Sequence, residues 1–436
     1  MENINKIKGT IDLYNKKYII VKKIINTIRN ELKLYGYTPI KTPSIENSKI
    51  LLKTDNKIIY YIYNGKKKYK KFLIFDLTIP LIRFLLNNYN KIIFPFKKYQ
   101  IQKVWRGENT QYNRYREFYQ FDVDIVTFKK DYRYIIELEL ITLCEKIFKS
   151  FKINVTLLIN DKNILYGLCK IFKIKKNKWD KFLIIIDKIK KINIKKIINI
   201  LIKQNFILKK YIKKLIKLYN IDIYYDNEKK INILKKIFKK TSIGIKGVKN
   251  LLKLFNHIKI MKLKYINLKI NFFLSRGFNY YNSIIFEIIS NKDSLSILGG
   301  GRYDNYIKIN NRNTYYIGMS FGIYRIYNIL KNNINFIKEK DSIKVLFVNL
   351  NQDYNIYIYY RNKLNNYKII NEIYPYYDKI TKQIKYAIKK NINFLIFLGK
   401  KELKNKIIKL KKINTHKEYI FKNINKLIIF LKKNYK

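Results

Sequence analysis

The stretch YREFYQFDVDIV (115–126) carries side chains whose types and spacing could bind a ligand. In a strand, alternate residues share a face. Tyr119, Phe121, Val123 and Ile125 then form an apolar face that reads as core, and Arg116, Phe118, Gln120, Asp122 and Asp124 form the other. A face turned to solvent has no use for Phe118. An aromatic ring can stack on a planar base, an arginine can meet a phosphate, and an amide with carboxylates can read a cationic ligand. The plainer alternative is an amphipathic edge strand. Just before it, WRGE places Arg106 and Glu108 with matching parity ahead of the connecting turn.

Arginine is scarce enough here to be informative. Of 93 Lys plus Arg in 436 residues only eleven are Arg, against 30 Asp plus Glu. Six of them, Arg106, Arg114, Arg116, Arg276, Arg302 and Arg325, fall in three short segments, and arginine suits bidentate phosphate contact. The second segment is FFLSRGFNYYNSIIFEII followed by LGGGRYDNY, where three consecutive glycines permit close backbone approach to a ligand or positive φ. The third, IGMSFGIYRIYNIL, reads as a strand passing into a helix, with Gly322 in the opening turn and Arg325 just after it.

The net charge of +63 favours a polyanionic partner, because clustered cations release counterions from a phosphate backbone. Composition offers a second cause. There is one alanine, Ala387, while Ile, Lys, Asn, Tyr and Phe dominate, as in a coding sequence drifted towards A and T. Arginines and glycines that survive in groups are then the first suspects for function.

Other classes are excluded on composition. A hydrophobic content of 48% is too high for disorder, and no run approaches the ~18 apolar residues that span a membrane. The start, MENINKIKGTIDLY, lacks the apolar core of a signal peptide. Two cysteines, Cys144 and Cys169, make no disulfide framework and point to a reducing cytoplasm; two histidines, His257 and His416, give no zinc spacing and make Ser-His catalysis improbable. Neither GxxxxGK[ST] nor a GxGxxG after a strand is present, so any nucleotide must be held by strands and arginines.

The elements that position these residues follow from periodicity. Val21, Ile24, Ile25, Ile28, Leu32 and Tyr35 recur at helical spacing before Gly36, and TPIKTPSIE is extended. KFLIFDLTIPLIRFLL predicts a strand ending near Asp76 and a helix beginning around Pro80. Tyr99 to Val126 predicts two strands about the polar loop ENTQYNR, and Ile136, Leu140, Leu143, Cys144 and Ile147 predict a helix. Between 165 and 264 the Lys and Ile runs predict a helical insertion whose lysines form a solvated face. Residues 267–327 read as strand-rich and hold six of the fourteen glycines. After a polar linker, KVLFVNL, YKIINEIY and NFLIFLG alternate with helices as βαβ, closed by NINKLIIFLKK.

Taken in order, WRGE, RYREFYQFDVDI, RGFNYY, GGGRYD and GMSFGIYR, with KGTIDLY and FDLTIPLIR, resemble the signature motifs of the histidyl-tRNA synthetases, class II, over nearly the full length. The resemblance implies an α+β catalytic domain built on an antiparallel sheet with a helical insertion, and a C-terminal α/β anticodon-binding domain. It divides the chain into catalytic parts 1–164 and 265–330, an insertion at 165–264, a linker at 331–340 and an anticodon domain at 341–436. It implies ATP, Mg2+, L-histidine and tRNA(His) as substrates and partners, a homodimer joined around Pro43, cytoplasmic location and no membrane.

It also implies roles. Asp76, Thr78 and Gln120 would hold the amino group of histidine, and Asp124 and Tyr281, with Tyr280 nearby, its imidazole. Arg106 and Arg276 would flank the α-phosphate as the catalytic pair. Phe118 would stack on adenine with Glu108 nearby, Arg116 would add to the ATP site, and Arg325 would meet the γ-phosphate. The attacking group is the substrate's own carboxylate, so charge neutralisation and positioning are needed rather than a protein base. Tyr324 stands where the last motif carries Glu, Asn279 where RGLDYY carries Asp, and Asn271 at another position that is often acidic. Two rival readings are a catalytically silent regulatory paralogue of histidine biosynthesis and a general RNA-binding protein. Arg276 and the domain after Asp341 count against the first.

Overall fold

In the computed structural model, Val21, Ile24, Ile28 and Leu32 line the buried side of helix α1 (Asn15–Leu34). Gly36, just past its end, takes φ +73°, the left-handed geometry that glycine adopts without a steric cost. The structure describes residues 4–51, 58–63, 71–110, 114–130, 134–190, 192–275, 281–292, 295–333, 336 and 343–433. The chain divides into two units, Met1–Asn333 and Ile334–Lys436.

Strands of the first unit begin with β1 (Thr38–Ile40), β2 (Ile45–Asn47), β3 (Lys71–Leu73), β4 (Phe96–Trp105), β5 (Glu117–Thr127) and β6 (Val155–Asp161). They continue with β7 (Ile266–Ile270), β8 (Ile284–Ser290), β9 (Ser296–Arg302), β10 (Lys308–Ile309), β11 (Arg312–Asn313) and β12 (Tyr315–Gly322). Eight of them form one sheet in the order β1-β4-β5-β12-β9-β8-β6-β7. The expected antiparallel sheet holds for the six central strands; the two edge pairs, β1 with β4 and β6 with β7, are parallel, so the sheet is mixed. A parallel pair needs a long connection between its strands, and the whole insertion supplies the one between β6 and β7.

The strand before the second helix ends at Leu73 rather than near Asp76, and α2 (Thr78–Asn88) begins two residues before Pro80. The start signal is a carboxylate rather than the proline: Asp76 Oδ1 accepts the Ile79 N–H at 3.1 Å, capping an unpaired donor of the first turn. Helix α3 (Ile135–Phe151) buries Leu140, Leu143, Cys144 and Ile147 as their spacing predicts.

Between β6 and β7 lie α4 (Lys162–Ile171), α5 (Trp179–Ile186), α6 (Ile194–Lys203), α7 (Ile212–Tyr224), α8 (Asn227–Phe238) and α9 (Ser242–Ile260). Lys230 departs from the solvated face expected of these helices. It is fully buried, donates to the Ile270 carbonyl at 2.7 Å and lies 3.5 Å from Asp222 Oδ1. Asp222 accepts the Phe272 N–H, Asn227 brackets β7 through the Leu268 carbonyl and the Ile270 N–H, and Asp187 accepts the Ser275 N–H. The insertion thus holds residues 268–275 by polar bonds at four positions. Helix α10 (Ile323–Leu330) closes the unit and packs on α1, β5 and β9.

The second unit is a five-stranded sheet in the order β14-β13-β15-β16-β17, with β13 (Lys344–Phe347), β14 (Ile370–Ile373) and β15 (Phe394–Phe397) parallel. Val345 and Phe347 pack on one side of β13 with α11 (Tyr354–Asn366) and α14 (Ile424–Lys433). Leu346 and Val348 pack on the other with Ala387 of α12 (Ile380–Lys389). A parallel strand covered on both faces reads as a continuous apolar run, which is why KVLFVNL is legible. After the short α13 (Lys400–Lys404), β16 (Ile408–Lys412) and β17 (Glu418–Phe421) add an antiparallel hairpin that the βαβ reading omits. Ile408 and Leu410 of β16 are buried in the core, while Lys409 and Lys411 pair with Glu418. The expected linker around 331–340 falls mostly outside the described residues.

Candidate active site

Cross-strand register assembles the site from three neighbouring strands. Lys98 of β4 stands opposite Asp124 of β5, Gln100 opposite Asp122, and Gln102 opposite Gln120; on the other side of β5 the same three residues face Gly318, Ser320 and Gly322 of β12. Directly opposed residues share a face, so the polar set of β5 meets polar or side-chain-free partners on both sides. Behind the sheet, Phe121 and Val123 are buried, and Phe121 packs between Tyr99 and Phe321. Tyr119 does not join that core. It is half-exposed near the strand's beginning, beside Tyr324 and Lys103.

A narrow cavity opens on the polar face, lined by Thr78, Gln120, Asp122, Asp124, Tyr281, Tyr303, Gly318, Met319 and Ser320. Four residues expected at a histidine site therefore come together: Thr78, Gln120, Asp124 and Tyr281. Asp124 is held on both oxygens. Lys98 Nζ lies 2.5 Å from Oδ2, and the Tyr303 hydroxyl donates to Oδ1 at 2.6 Å. A Cβ at Gly318 would overlap that carboxylate, so glycine is required there by contact rather than by backbone conformation. Asp122 accepts from Gln120 Nε2 at 3.1 Å, while Asp122 Oδ1 and Gln120 Oε1 are buried without a partner among the described residues. Burial and then Asp124 push the Asp122 carboxyl up to about 7, against Lys98 and a hydrogen bond with Ser320. Burial also raises Asp76, opposed by the Ile79 N–H and Arg106.

The arginine end is built on the same strands. Arg106 donates from Nε to the Phe75 carbonyl at 2.9 Å, and its guanidinium carbon lies 5.2 Å from the Phe118 ring centre, so both are preset by one stacking contact. Glu108 pairs with Arg114 at 2.5 Å; burial would raise its carboxyl, but Arg114 and Arg106 hold it lowered. The backbone N–H of Arg116 donates to the Gly9 carbonyl, which sets the KGTIDLY segment against the start of β5. Arg325 donates to the Ser296 carbonyl at 2.7 Å from α10. Arg302 is buried behind a structural contact, pairing with Glu137 of α3, so not every clustered arginine belongs to the site. Arg276 and Tyr280, with Gly277 and Asn279, lie outside the described residues.

Two readings of the motifs change. The triple glycine forms part of β9, where a Cβ at Gly300 would strike the Gly318 carbonyl and the Phe286 ring; close strand packing uses it. Tyr324 is buried against the edges of the Tyr115 and Tyr119 rings and offers no carboxylate. Among the described residues no three of His, Cys, Asp and Glu come together in a way that could hold a metal ion. Lys98, Tyr303, Gly318 and Ser320 are the site residues the sequence reading misses.

A mostly antiparallel sheet that presents an arginine, an aromatic ring and buried carboxylates on one face, followed by a separate α/β unit, defines a class II aminoacyl-tRNA synthetase. The family model described as histidyl-tRNA synthetase matches residues 9–326, and that described as anticodon binding domain matches residues 344–434. The chain belongs to the histidyl-tRNA synthetase family, whose members are aminoacyl-tRNA ligases. It is 32% identical to a histidine–tRNA ligase of Azobacteroides pseudotrichonymphae genomovar. CFP2 over 99% of this chain and 98% of the relative. It is 33% identical to that of Christiangramia forsetii over 93% and 94%. In fold it matches the histidyl-tRNA synthetase of Nostoc sp. PCC 7120 with a TM-score of 0.80 at 23% identity, covering 100% of both chains. No helix among the described residues is long and apolar enough to cross a membrane.

Proposed function

We propose that this chain is the histidine–tRNA ligase of its cell: it activates L-histidine with ATP to histidyl-adenylate and transfers it to the 3′ end of tRNA(His). The observation that carries the reading is the acceptor-rich pocket. Among the described residues Gln120 Oε1 and Asp122 Oδ1 are buried and accept no hydrogen bond beside Asp124, which matches a small ligand rich in N–H groups. Asp76, Thr78 and Gln120, joined by Asp122, take the ammonium group; Asp124 and Tyr281, with Tyr280, take the imidazole. An apolar competitor would strand these buried groups, and sites of that type discriminate by about 10⁴ to 10⁵.

Activation needs no protein base. The histidine carboxylate attacks the α-phosphorus of ATP, a P–O bond forms, and diphosphate leaves. Arg106 and Arg276 stabilise the charge that develops on the α-phosphate, Phe118 stacks on adenine beside Glu108 and Arg116, and Arg325 steadies the γ-phosphate. The terminal ribose hydroxyl of tRNA then attacks the mixed anhydride and AMP leaves. Mg2+ would enter as the companion of ATP and would neutralise triphosphate charge. The described residues bring no three metal-ligating side chains together for it. The partition into catalytic parts 1–164 and 265–330, insertion 165–264, linker 331–340 and anticodon domain 341–436, the homodimer around Pro43 and the cytoplasmic setting belong to the same proposal. The free, buried thiols of Cys144 and Cys169 support that setting. Amino-acid-dependent ATP–pyrophosphate exchange across all twenty amino acids tests the reading: exchange with histidine alone is expected, and exchange with none or with another amino acid overturns it.

A further inference from the structure

Lys98 is one of 82 lysines, and it is fully buried. Its neighbour on β4, Lys97, shows the ordinary alternative: it pairs with Glu139 and sits over the Tyr37 ring at the margin of the sheet. Lys98 points instead to the pocket face, where two carboxylates two residues apart, Asp122 and Asp124, share a water-poor space with Asp76 close by. Like charges so placed cannot both stay ionised without a counter-charge. Among the described residues Lys98 is the cation that forms an ion pair with either acid of this pair, and it does so with Asp124.

The contact also aims the acid. With Lys98 Nζ against Oδ2 as an ion-pair partner and the Tyr303 hydroxyl donating to Oδ1, both oxygens of Asp124 are engaged, and Gly318 leaves the carboxylate the space a Cβ would take. A carboxylate has about four acceptor positions, so each oxygen keeps one for a ligand N–H.

We infer that Lys98 is a positioning residue for amino-acid recognition, holding Asp124 as an oriented acceptor for a ring N–H of the substrate. The inference rests on the histidine reading above and deepens it, since it assigns selectivity to a residue that touches no substrate.

The test is pyrophosphate exchange by the full-length protein, with KM measured for histidine and for ATP separately. Lys98→Gln is expected to raise the histidine KM about 10- to 100-fold, the range of a lost charged hydrogen bond, with the ATP KM within about twofold. Lys98→Arg is expected to recover most of the loss. In the pair Lys98→Gln with Asp124→Asn, the histidine KM is expected to match that of Asp124→Asn alone, because a residue acting through another adds nothing once that other is gone. The double variant removes both members of the ion pair together and carries the test by itself should Lys98→Gln fail to fold. Equal rises in both KM values, or a further tenfold loss in the double variant, overturn the inference. A competent wild type with an unchanged Lys98→Gln overturns this inference alone, whereas a wild type without histidine-dependent exchange overturns the activity reading and this inference with it.

Discussion

Two fully buried lysines in the first unit, Lys98 and Lys230, each pair with a buried aspartate, yet their surroundings differ in one respect. Lys230 and Asp222 are closed off by backbone, through the Ile270 carbonyl and the Phe272 N–H. Asp124, joined also by a phenol, lines a cavity in which, among the described residues, Gln120 Oε1 and Asp122 Oδ1 have no donor. A buried ion pair whose remaining valences are met by main chain fixes one element on another. One whose valences are left open is completed by something that arrives from outside. Neither pair is strong evidence for stability as such, because desolvation offsets the attraction, but removing one partner from either strands a charge.

The sharpest way to break the comparison is at the open pair. Asp124→Ala is expected to lower histidine-dependent pyrophosphate exchange by about 10³-fold or more, while the protein still melts cooperatively; retained exchange would remove Asp124 from the pocket. At the closed pair the effect should fall on stability. Lys230→Met leaves Asp222 uncompensated and is expected to cost about 3–5 kcal/mol in denaturant unfolding, with the histidine KM of the folded enzyme within about twofold. A kinetic loss without a stability loss would reverse the roles of the two pairs.

Gly318→Ala is a subtler probe of the open pair, since it displaces Asp124 without removing it. It is expected to raise the histidine KM by about tenfold and to cost about 1–3 kcal/mol, the usual cost of overpacking. The smallest expected effect comes from proton linkage at Asp122. Burial and the neighbouring Asp124 push its carboxyl up from its ordinary value to about 7. An acid raised on folding binds more protons folded than unfolded, so this group's contribution to the stability of the ligand-free protein falls as pH rises from about 4 through about 7. The ionised form attracts an ammonium group, so histidine affinity should rise severalfold between about pH 6.5 and 8. Asp122→Asn should flatten both trends relative to wild type; identical slopes would show that another group is responsible.

What the sequence makes legible follows the same division. Strand alternation is local, so Gln120, Asp122 and Asp124 can be placed on one face without knowledge of any neighbour. The partner of that face is tertiary. Lys98 is chosen from among 82 lysines only by the β4–β5 register, and Tyr303 reaches Asp124 across 179 positions of chain. Helical periodicity finds α1 and α3, but not that Lys230 turns inward among lysines that are solvated. The β16–β17 hairpin stays hidden because IKLKK is short and, with lysine in alternate places, resembles the runs of the insertion. Arg302 shows the limit of clustering as a signal: a scarce residue can be kept by a structural pair with Glu137 as readily as by a phosphate.

Strand β5 is hydrogen-bonded on both sides, to β4 along its length and to β12 from Gln120 to Thr127. Its amide protons between Phe121 and Ile125 can therefore meet solvent only when the sheet itself opens, and they should report the global unfolding free energy in hydrogen exchange. The acids proposed to receive the amino acid are carried by the strand expected to open last. Occupancy of the pocket is then decoupled from local breathing: ligand should leave the exchange hierarchy within the sheet unchanged and slow every one of these amides by the same factor.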